Sequence, residues 1–279
     1  MEFIKNYSSI NICDIGASPV DRTEFIETLL NNTNSKIIGF EPNIDEFNKL
    51  ENSTNKTFYN YGIGDGKIHN LNVCSAVGLS SFLEPNIEFL KLFHKFEEWA
   101  KIVKKIPIKT KKLDDLEEKF DLIKIDVQGF ESEVIKNGTN KIKDSLVVQI
   151  ETSPIPLYHN EKPFSYISNQ LEQLGFNLHM FNKIHTRTFK PMLIKNDIKF
   201  GLHHLFQLDC VFIKNLDDLN KLDIEKLKKI ILIMFWSFKS YDLVDLLISK
   251  LDIATDENNL LNYRKILKKP QTAAANKKY

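Results

Sequence analysis

The chain has 279 residues, with 38 Lys+Arg against 37 Asp+Glu, so its formal net charge is +1. This balance excludes a protein that holds nucleic acid through a general excess of basic charge, and we expect no nucleic-acid partner. Hydrophobic residues make up 42% and charged residues 27%, as in ordinary globular proteins. The length predicts one domain with an appendage, or two domains.

The first part of the chain alternates between strand and helix patterns. Residues 8–15 predict a buried strand, 21–30 a helix and 36–41 a second strand. A helix that runs through Leu50 and a third strand at 57–63 follow. Short connections of this kind are typical of parallel strands joined by right-handed crossovers.

An insertion interrupts this alternation. Residues 67–75 alternate like a strand after the turn signal Gly64-Asp65-Gly66, residues 86–103 have a helical pattern, and 106–113 return as a strand. We therefore expect an inserted β-hairpin.

The alternation then resumes, with two antiparallel strands expected at its end. The predicted elements are strands at 120–127, 145–151, 176–182 and 208–214, and helices at 131–137 and 163–175. The predicted fold class is α/β: a doubly wound, mostly parallel, seven-stranded Rossmann-like sheet with the inserted β-hairpin and a C-terminal helical appendage.

The predicted domain organisation follows from where this pattern ends. Residues 1–215 form the α/β domain, 216–269 the helical appendage, and 270–279 a tail that we expect to be disordered. Apolar residues at helical spacing over 222–248 predict either packing on the chain's own core or a homodimer through these helices.

The sequence also bears on location. The N-terminus lacks a basic segment followed by a long apolar one, and the longest apolar run, 230–236, is shorter than the roughly 20 residues that cross a membrane. Cys13, Cys74 and Cys210 are odd in number and widely spaced, which is typical of a reducing compartment. We expect no transmembrane segment and a cytoplasmic location.

Acidic residues recur at the carboxyl ends of five successive predicted strands. They are Asp14, Glu41, Asp65, Asp126 and Glu151. Ligands of open α/β sheets bind at these ends. Core packing alone would not require such residues, because a buried unpaired carboxylate is costly.

The turn after the first strand bears on the kind of ligand. Residues 14–19 hold one glycine where a dinucleotide fingerprint has three, and the chain has no P-loop motif. Glu41 follows the second strand, where a carboxylate can accept both ribose hydroxyl protons, and Asp14 or a nearby carbonyl can face an ammonium group. The pattern favours S-adenosylmethionine, with an NAD(P)-dependent oxidoreductase as a disfavoured alternative.

Four segments carry a resemblance to a known family. They are DIGA (14–17), GFEP (39–42), IKIDVQGFE (123–131) and VVQIE (147–151). From about residue 8 to 215 the chain resembles the FkbM-type methyltransferases, and it departs from their commoner pattern at Ser18-Pro19, where Asn-x-x-Gly is usual. The resemblance implies the class I methyltransferase fold and methylation of a hydroxyl group on a carbohydrate, such as a bacterial surface glycan, or on a natural product.

The resemblance also implies a cofactor site. Asp14 and Gly16 form the cofactor turn, Glu41 binds the ribose, Asp65 lies near the adenine, and Asp126 lies beside the methyl group. The full predicted set is Asp14, Gly16, Ala17, Ser18, Glu41, Pro42, Gly64, Asp65, Asp126, Val127 and Gln128.

Methyl transfer to an aliphatic hydroxyl needs a base that takes its proton. The predicted catalytic residues are Asp126, Glu151 and His179, and Asp126 is favoured because it ends the central strand. A divalent metal held by Asp126 and Glu151 is an alternative that we do not favour.

Residues beyond the cofactor set are predicted to contact the acceptor. They are Glu131, His159, Arg187 and His204. Structural histidines and a solvated loop around Arg187 are the alternatives. A catalytically inactive scaffold with the same fold is the competing function, and the carboxylates at five strand ends argue against it.

Overall fold

The computed structural model describes Ile4, Tyr7 and residues 9–19 and 24–267. The start of the helix predicted at Asp21 and the tail predicted at 270–279 lie outside the described residues. The chain divides into two compact units. One comprises residues 10–22 and 35–218, and the other comprises 1–9, 23–34 and 219–279.

Strands and helices alternate through most of the described chain. The strands are β1 (Ile10–Ile15), β2 (Ser35–Phe40), β3 (Lys56–Tyr59), β4 (Ile68–Cys74), β5 (Ile102–Lys109), β6 (Leu122–Ile125), β7 (Val147–Thr152), β8 (Phe176–Arg187) and β9 (His204–Lys214). The helices are α1 (Glu24–Asn32), α2 (Ile44–Phe47), α3 (Ile87–Leu90), α4 (Phe96–Trp99), α5 (Glu131–Lys136), α6 (Thr139–Asp144), α7 (Phe164–Gln173), α8 (Leu216–Leu219), α9 (Ile224–Trp236), α10 (Tyr241–Thr255) and α11 (Asn259–Leu267).

The larger unit contains a seven-stranded sheet in the order β3-β2-β1-β6-β7-β9-β8. The first five strands in this order are parallel, and β9 runs antiparallel to both β7 and β8. The predicted α/β fold with a mostly parallel seven-stranded sheet is confirmed. Because β1 and β6 are neighbours, the residues that follow them meet at one edge of the sheet.

The central strands form because most of their residues are apolar and buried. Residues 122–125 are buried at every position, and Ile12 and Ile150 are fully buried on the neighbouring strands. A strand covered on both faces reads as such a continuous apolar run, and each large side chain removed from water contributes roughly 1.5–3 kcal/mol. Lys124 is the charged exception in this run, and its ammonium pairs with Asp14 and Asp126 at the end of the strands.

The insertion forms a separate two-stranded antiparallel sheet of β4 and β5. The single helix predicted over 86–103 is wrong: the segment forms the two short helices α3 and α4, and β5 already begins at Ile102. Lys95 separates the two helices with a left-handed φ of 69°, which stops a right-handed helix from continuing. Phe93 and Phe96 are buried in a cluster with Phe206, so these rings belong to a hydrophobic core.

The smaller unit is helical and contains α1, α9, α10 and α11. Its α1 was assigned to the first domain on sequence grounds. The Ser237 hydroxyl donates to the Phe25 carbonyl at 3.1 Å, and the rings of Phe25 and Phe238 lie 5.2 Å apart. Dimerisation over 222–248 stays a prediction. Within the described residues, no helix combines the length and the apolar character needed to cross a membrane.

Candidate active site

A cleft opens where β1, β2 and β6 end. Residues of all three strand ends line it, together with residues of the insertion. Its polar lining includes Ser18, Glu41, Asn43, Glu46, Asp126 and Gln128, and its apolar lining includes Phe40, Ile63, Leu71, Val77, Phe82 and Val127. Gly16 and Pro42, also predicted for the cofactor, line it as well.

The turn after β1 brings two strand ends into close contact. Gly16 has a φ of +83°, and a Cβ there would lie 1.8 Å from the Asp126 carbonyl oxygen, so only glycine fits. The Gly16 and Ala17 amides donate to the Phe40 carbonyl oxygen at 3.0 and 3.1 Å. These two amides are therefore already used by the protein, whereas a dinucleotide site presents such amides to a pyrophosphate.

A buried ion-pair network lies beneath the cleft. The Lys124 ammonium lies 3.2 Å from Asp14 and 3.4 Å from Asp126, and it donates to the Gly16 carbonyl oxygen at 3.3 Å. Burial raises the pKa of Asp14, and the neighbouring Lys124 opposes the rise. Asp14 itself does not line the cleft; its carboxylate pairs with Lys124, which also contacts the turn after β1 and Asp126.

Two buried carboxyl groups stand at the β2 side of the cleft. Glu41 follows β2 directly and accepts a hydrogen bond from the Asn43 amide at 2.7 Å. Burial raises the pKa of Glu41 to about 7, although the Asn43 bond acts in the opposite direction. Glu46 lines the same wall and pairs with Lys49 at 2.6 Å. Glu46 was not predicted, because its position in a short helix gives no sign in the sequence that it faces a ligand.

The loop after β6 connects two parts of the sheet edge. The Gln128 side-chain amide donates to Asp126 at 2.9 Å and to Glu151 at 2.6 Å, and its carbonyl oxygen accepts from the Tyr158 hydroxyl at 3.1 Å. Gln128 has a left-handed φ of 54°. Asp126 and Glu151, two of the predicted catalytic residues, are thus joined through one side chain.

Glu131, predicted to contact the acceptor, is turned toward its own loop instead. It is buried, and its carboxyl oxygen accepts from the amides of Val127 and Gly129 at 3.1 and 3.0 Å. Burial, reinforced by Glu161, raises the pKa of Glu131 to about 8. The side chain holds the loop that carries Asp126.

A second cluster stands where β7 ends, beside the last residues of β8 and the middle of β9. Ligand-type atoms of Glu151, His185 and Asp209 all lie within 4.8 Å of one another. The Gln207 amide also donates to Glu151, at 2.7 Å. Burial, with help from nearby Lys183, lowers the pKa of His185 to about 4. His185 and Asp209 were not predicted as site residues.

His179, the third predicted catalytic residue, is not in this cluster. It lies at a register shift between Leu178 and Met180, level with Val148 and Gln149 in the middle of the sheet. His185, six positions later on the same strand, is the histidine that lies beside Glu151 and Asp209.

Gly64 and Asp65 lie outside the lining of the first cleft. Asp65 lines a separate one, where its carboxylate lies 2.7 Å from His69 and accepts from the Lys67 amide at 3.0 Å. Burial alone would raise the pKa of Asp65, but the bonds from His69 and Lys67 lower it to about 2. The Gly64 amide donates to the Lys111 carbonyl oxygen.

The remaining predicted acceptor residues separate into a pair and a single residue. Arg187 and His204 are partners in the β8–β9 register, and burial lowers the pKa of each. The Arg187 guanidinium lies 5.4 Å from the Phe206 ring centre, and the His204 ring lies 4.5 Å from that of Phe189. His159 is exposed on the loop after β7.

The sheet order is that of a doubly wound α/β fold, in which ligands bind at the carboxyl ends of the strands, where this cleft lies. The family model for the methyltransferase FkbM domain matches residues 14–178, from β1 into β8. Because this span covers more than half of the chain, the protein belongs to the FkbM methyltransferase family. No curated protein and no solved structure matches the chain.

Proposed function

We propose that this protein is an S-adenosylmethionine-dependent O-methyltransferase whose acceptor is a hydroxyl group of a carbohydrate, such as a surface glycan, or of a natural product. The observation that carries the proposal is the cleft at the ends of β1, β2 and β6, where a single-glycine turn lies beside the buried Glu41. Membership of the FkbM family supports the reaction class.

The residues of the cleft fit this cofactor. Glu41 offers a buried carboxyl group to the ribose hydroxyls, and Ile63, Leu71 and Phe82 offer apolar walls to a purine. The use of the Gly16 and Ala17 amides by Phe40 disfavours a pyrophosphate and so disfavours NAD(P). When bound, S-adenosylmethionine supplies a methyl group activated on a sulfonium.

Asp126 is the proposed base. It lines the cleft, and Lys124 and Gln128 fix its carboxylate in one orientation. A base held in this way can take the acceptor proton without first reorganising, and a positioned base contributes about 10²–10⁴-fold to the rate. Beyond it, Glu151 and Gln207 present oxygen and amide groups that suit hydroxyl-rich acceptors.

Calorimetric titration of the full chain with S-adenosylmethionine tests the cofactor site. We expect Glu41→Gln to weaken binding at least ~10-fold, because the amide loses one of the two acceptor oxygens that the diol would use. Glu51→Gln, which changes an exposed residue, should bind like the wild type. Wild-type affinity should rise about tenfold from pH 6 to 8 as Glu41, with its pKa of about 7, ionises. Equal affinity in wild type and Glu41→Gln contradicts the ribose assignment.

The base assignment needs a separate experiment. Asp126→Asn should keep cofactor affinity within about tenfold, while transfer of a labelled methyl group to a panel of sugars, followed by mass spectrometry, falls at least ~100-fold. Full transfer by Asp126→Asn removes this residue from the role. Binding of NADH but not of S-adenosylmethionine overturns the proposed function itself.

A further inference from the structure

Glu151, His185 and Asp209 come from three adjacent strands and meet on one face of the sheet. Glu151 and Asp209 are direct partners in the β7–β9 register, and His185 is the partner of Gln207 in the β8–β9 register. Residues opposite one another, or two positions apart on a strand, share a face, which explains why the ligand atoms of the three lie within 4.8 Å. All three side chains are partly buried.

The donor set is one imidazole nitrogen with two carboxylates. Imidazole suits first-row transition metals, whereas carboxylates suit Mg²⁺, Ca²⁺ and Mn²⁺, so the mixed set favours Mn²⁺ or a similar cation over Mg²⁺. Three protein ligands also leave coordination positions for water or a substrate oxygen, as in catalytic metal sites.

Neighbouring side chains orient one of these ligands. The amides of Gln128 and Gln207 both donate to the same oxygen of Glu151, at 2.6 and 2.7 Å. Hydrogen bonds of this kind fix the orientation of a ligating carboxylate. Gln128 also bonds Asp126, so the cluster adjoins the cleft proposed for the cofactor.

The pair considered on sequence grounds, Asp126 with Glu151, is a poorer site. The Lys124 ammonium already lies 3.4 Å from Asp126 and would repel a second cation there. The triad moves the candidate site one strand further along the sheet, to β7, β8 and β9.

We propose that Glu151, His185 and Asp209 bind one divalent transition-metal cation, with Mn²⁺ as the probe, at the acceptor side of the cleft. The cation holds acceptor hydroxyl oxygens in its remaining positions and so orients the acceptor toward Asp126. The use of the cation rests on the proposed function, whereas its binding does not.

Titration of the EDTA-treated full chain with Mn²⁺, followed by the electron paramagnetic resonance of the free ion, tests the site. We expect one Mn²⁺ per chain, electron spin-echo modulation from one imidazole nitrogen, and displacement only by a large excess of Mg²⁺. His185→Gln and Asp209→Asn should each weaken binding at least ~10-fold. His203→Gln and Glu97→Gln, which change exposed residues, should bind like the wild type.

Two outcomes overturn the inference: no stoichiometric Mn²⁺ binding by the wild type, or wild-type affinity in both triad variants. Circular dichroism shows whether each variant is folded, and Glu151→Gln supplies a third substitution if one is not. Titration with S-adenosylmethionine in parallel separates the two proposals. Cofactor binding without Mn²⁺ binding contradicts the metal site alone. Mn²⁺ binding without cofactor binding contradicts the proposed function alone.

Discussion

The edge of the sheet has two regions that are built differently. The parallel edge consists of the ends of β1, β2 and β6, and the mixed edge consists of the ends of β7 and β8 with the part of β9 that lies between them. On the parallel edge the charges of Asp14 and Lys124 are buried and paired with each other. On the mixed edge Glu151, His185 and Asp209 are only partly buried. The paired charges stabilise the turn after β1, and we propose that the partly buried cluster faces the acceptor.

This difference decides what the sequence could predict. Parallel strands with short connections end at one level, so the residues after β1, β2 and β6 could be placed together from the pattern alone. The pairing of β8 with β9 has three register shifts. Each shift changes which residue reaches the edge, and no residue type in the sequence announces it. The sequence pattern also ended this strand at residue 182, whereas β8 runs to Arg187, so His185 was not considered as a partner of Glu151.

The largest effect on stability should come from adding a side chain where the turn after β1 contacts the residue after β6. Gly16→Ala should lower the free energy of unfolding by about 3 kcal/mol, because the added Cβ meets the Asp126 carbonyl oxygen in addition to the strain of a positive φ. Gly66→Ala is the matched control: its φ is +82°, but its nearest neighbour atoms lie 3.6 Å away. Urea unfolding of the two variants measures the difference.

The control should cost only about 1 kcal/mol, the cost of the left-handed backbone. Equal destabilisation of the two variants would show that backbone strain alone matters, and that the contact between the ends of β1 and β6 is not close in solution.

A smaller, pH-dependent effect should come from Glu131. It distinguishes a side chain that holds its own loop from one that contacts the acceptor. The pKa of Glu131 is about 8 in the folded protein, against about 4.3 in an unfolded chain. Between these pH values the side chain is protonated in the folded state and ionised in the unfolded state. The contribution of Glu131 to stability therefore falls as pH rises from about 4.5 to 8. Glu131→Gln cannot ionise, so its stability relative to the wild type should rise steadily as pH increases from about 4.5 to 8 and level off above pH 8.

Denaturant unfolding across this pH range measures the gap. Glu117→Gln removes the same charge from an exposed position and should leave the difference from wild type independent of pH. A gap that stays constant from pH 5 to 9 would mean that Glu131 ionises freely, as an acceptor-facing carboxylate at the open edge would.

Individual contacts show the same limit on sequence-based prediction as the strand register. Asp126, Gln128 and Glu151 were identified because they follow apolar strands in recognisable segments. That one amide would join Asp126 to Glu151 depends on the left-handed backbone at Gln128, which its residue type does not indicate. Lys124 was taken as part of a motif without a role, because its two carboxylate partners are set by tertiary packing.

The smallest effect should come from the contact through which the two edges meet. The buried Tyr158 hydroxyl donates to Gln128 at 3.1 Å, with the Leu79 carbonyl oxygen at 3.2 Å as an alternative acceptor. Tyr158→Phe should therefore cost about 1 kcal/mol of stability, whereas Tyr166→Phe on an exposed ring should change it by less than ~0.5 kcal/mol.

Adding Gln128→Ala to Tyr158→Phe forms a double-mutant cycle measured by urea unfolding. A coupling of at least ~0.5 kcal/mol is expected if the hydroxyl orients Gln128 between Asp126 and Glu151. Additive effects would mean that Tyr158 bonds Leu79 instead, and that the parallel and mixed edges are joined by Gln128 without its support.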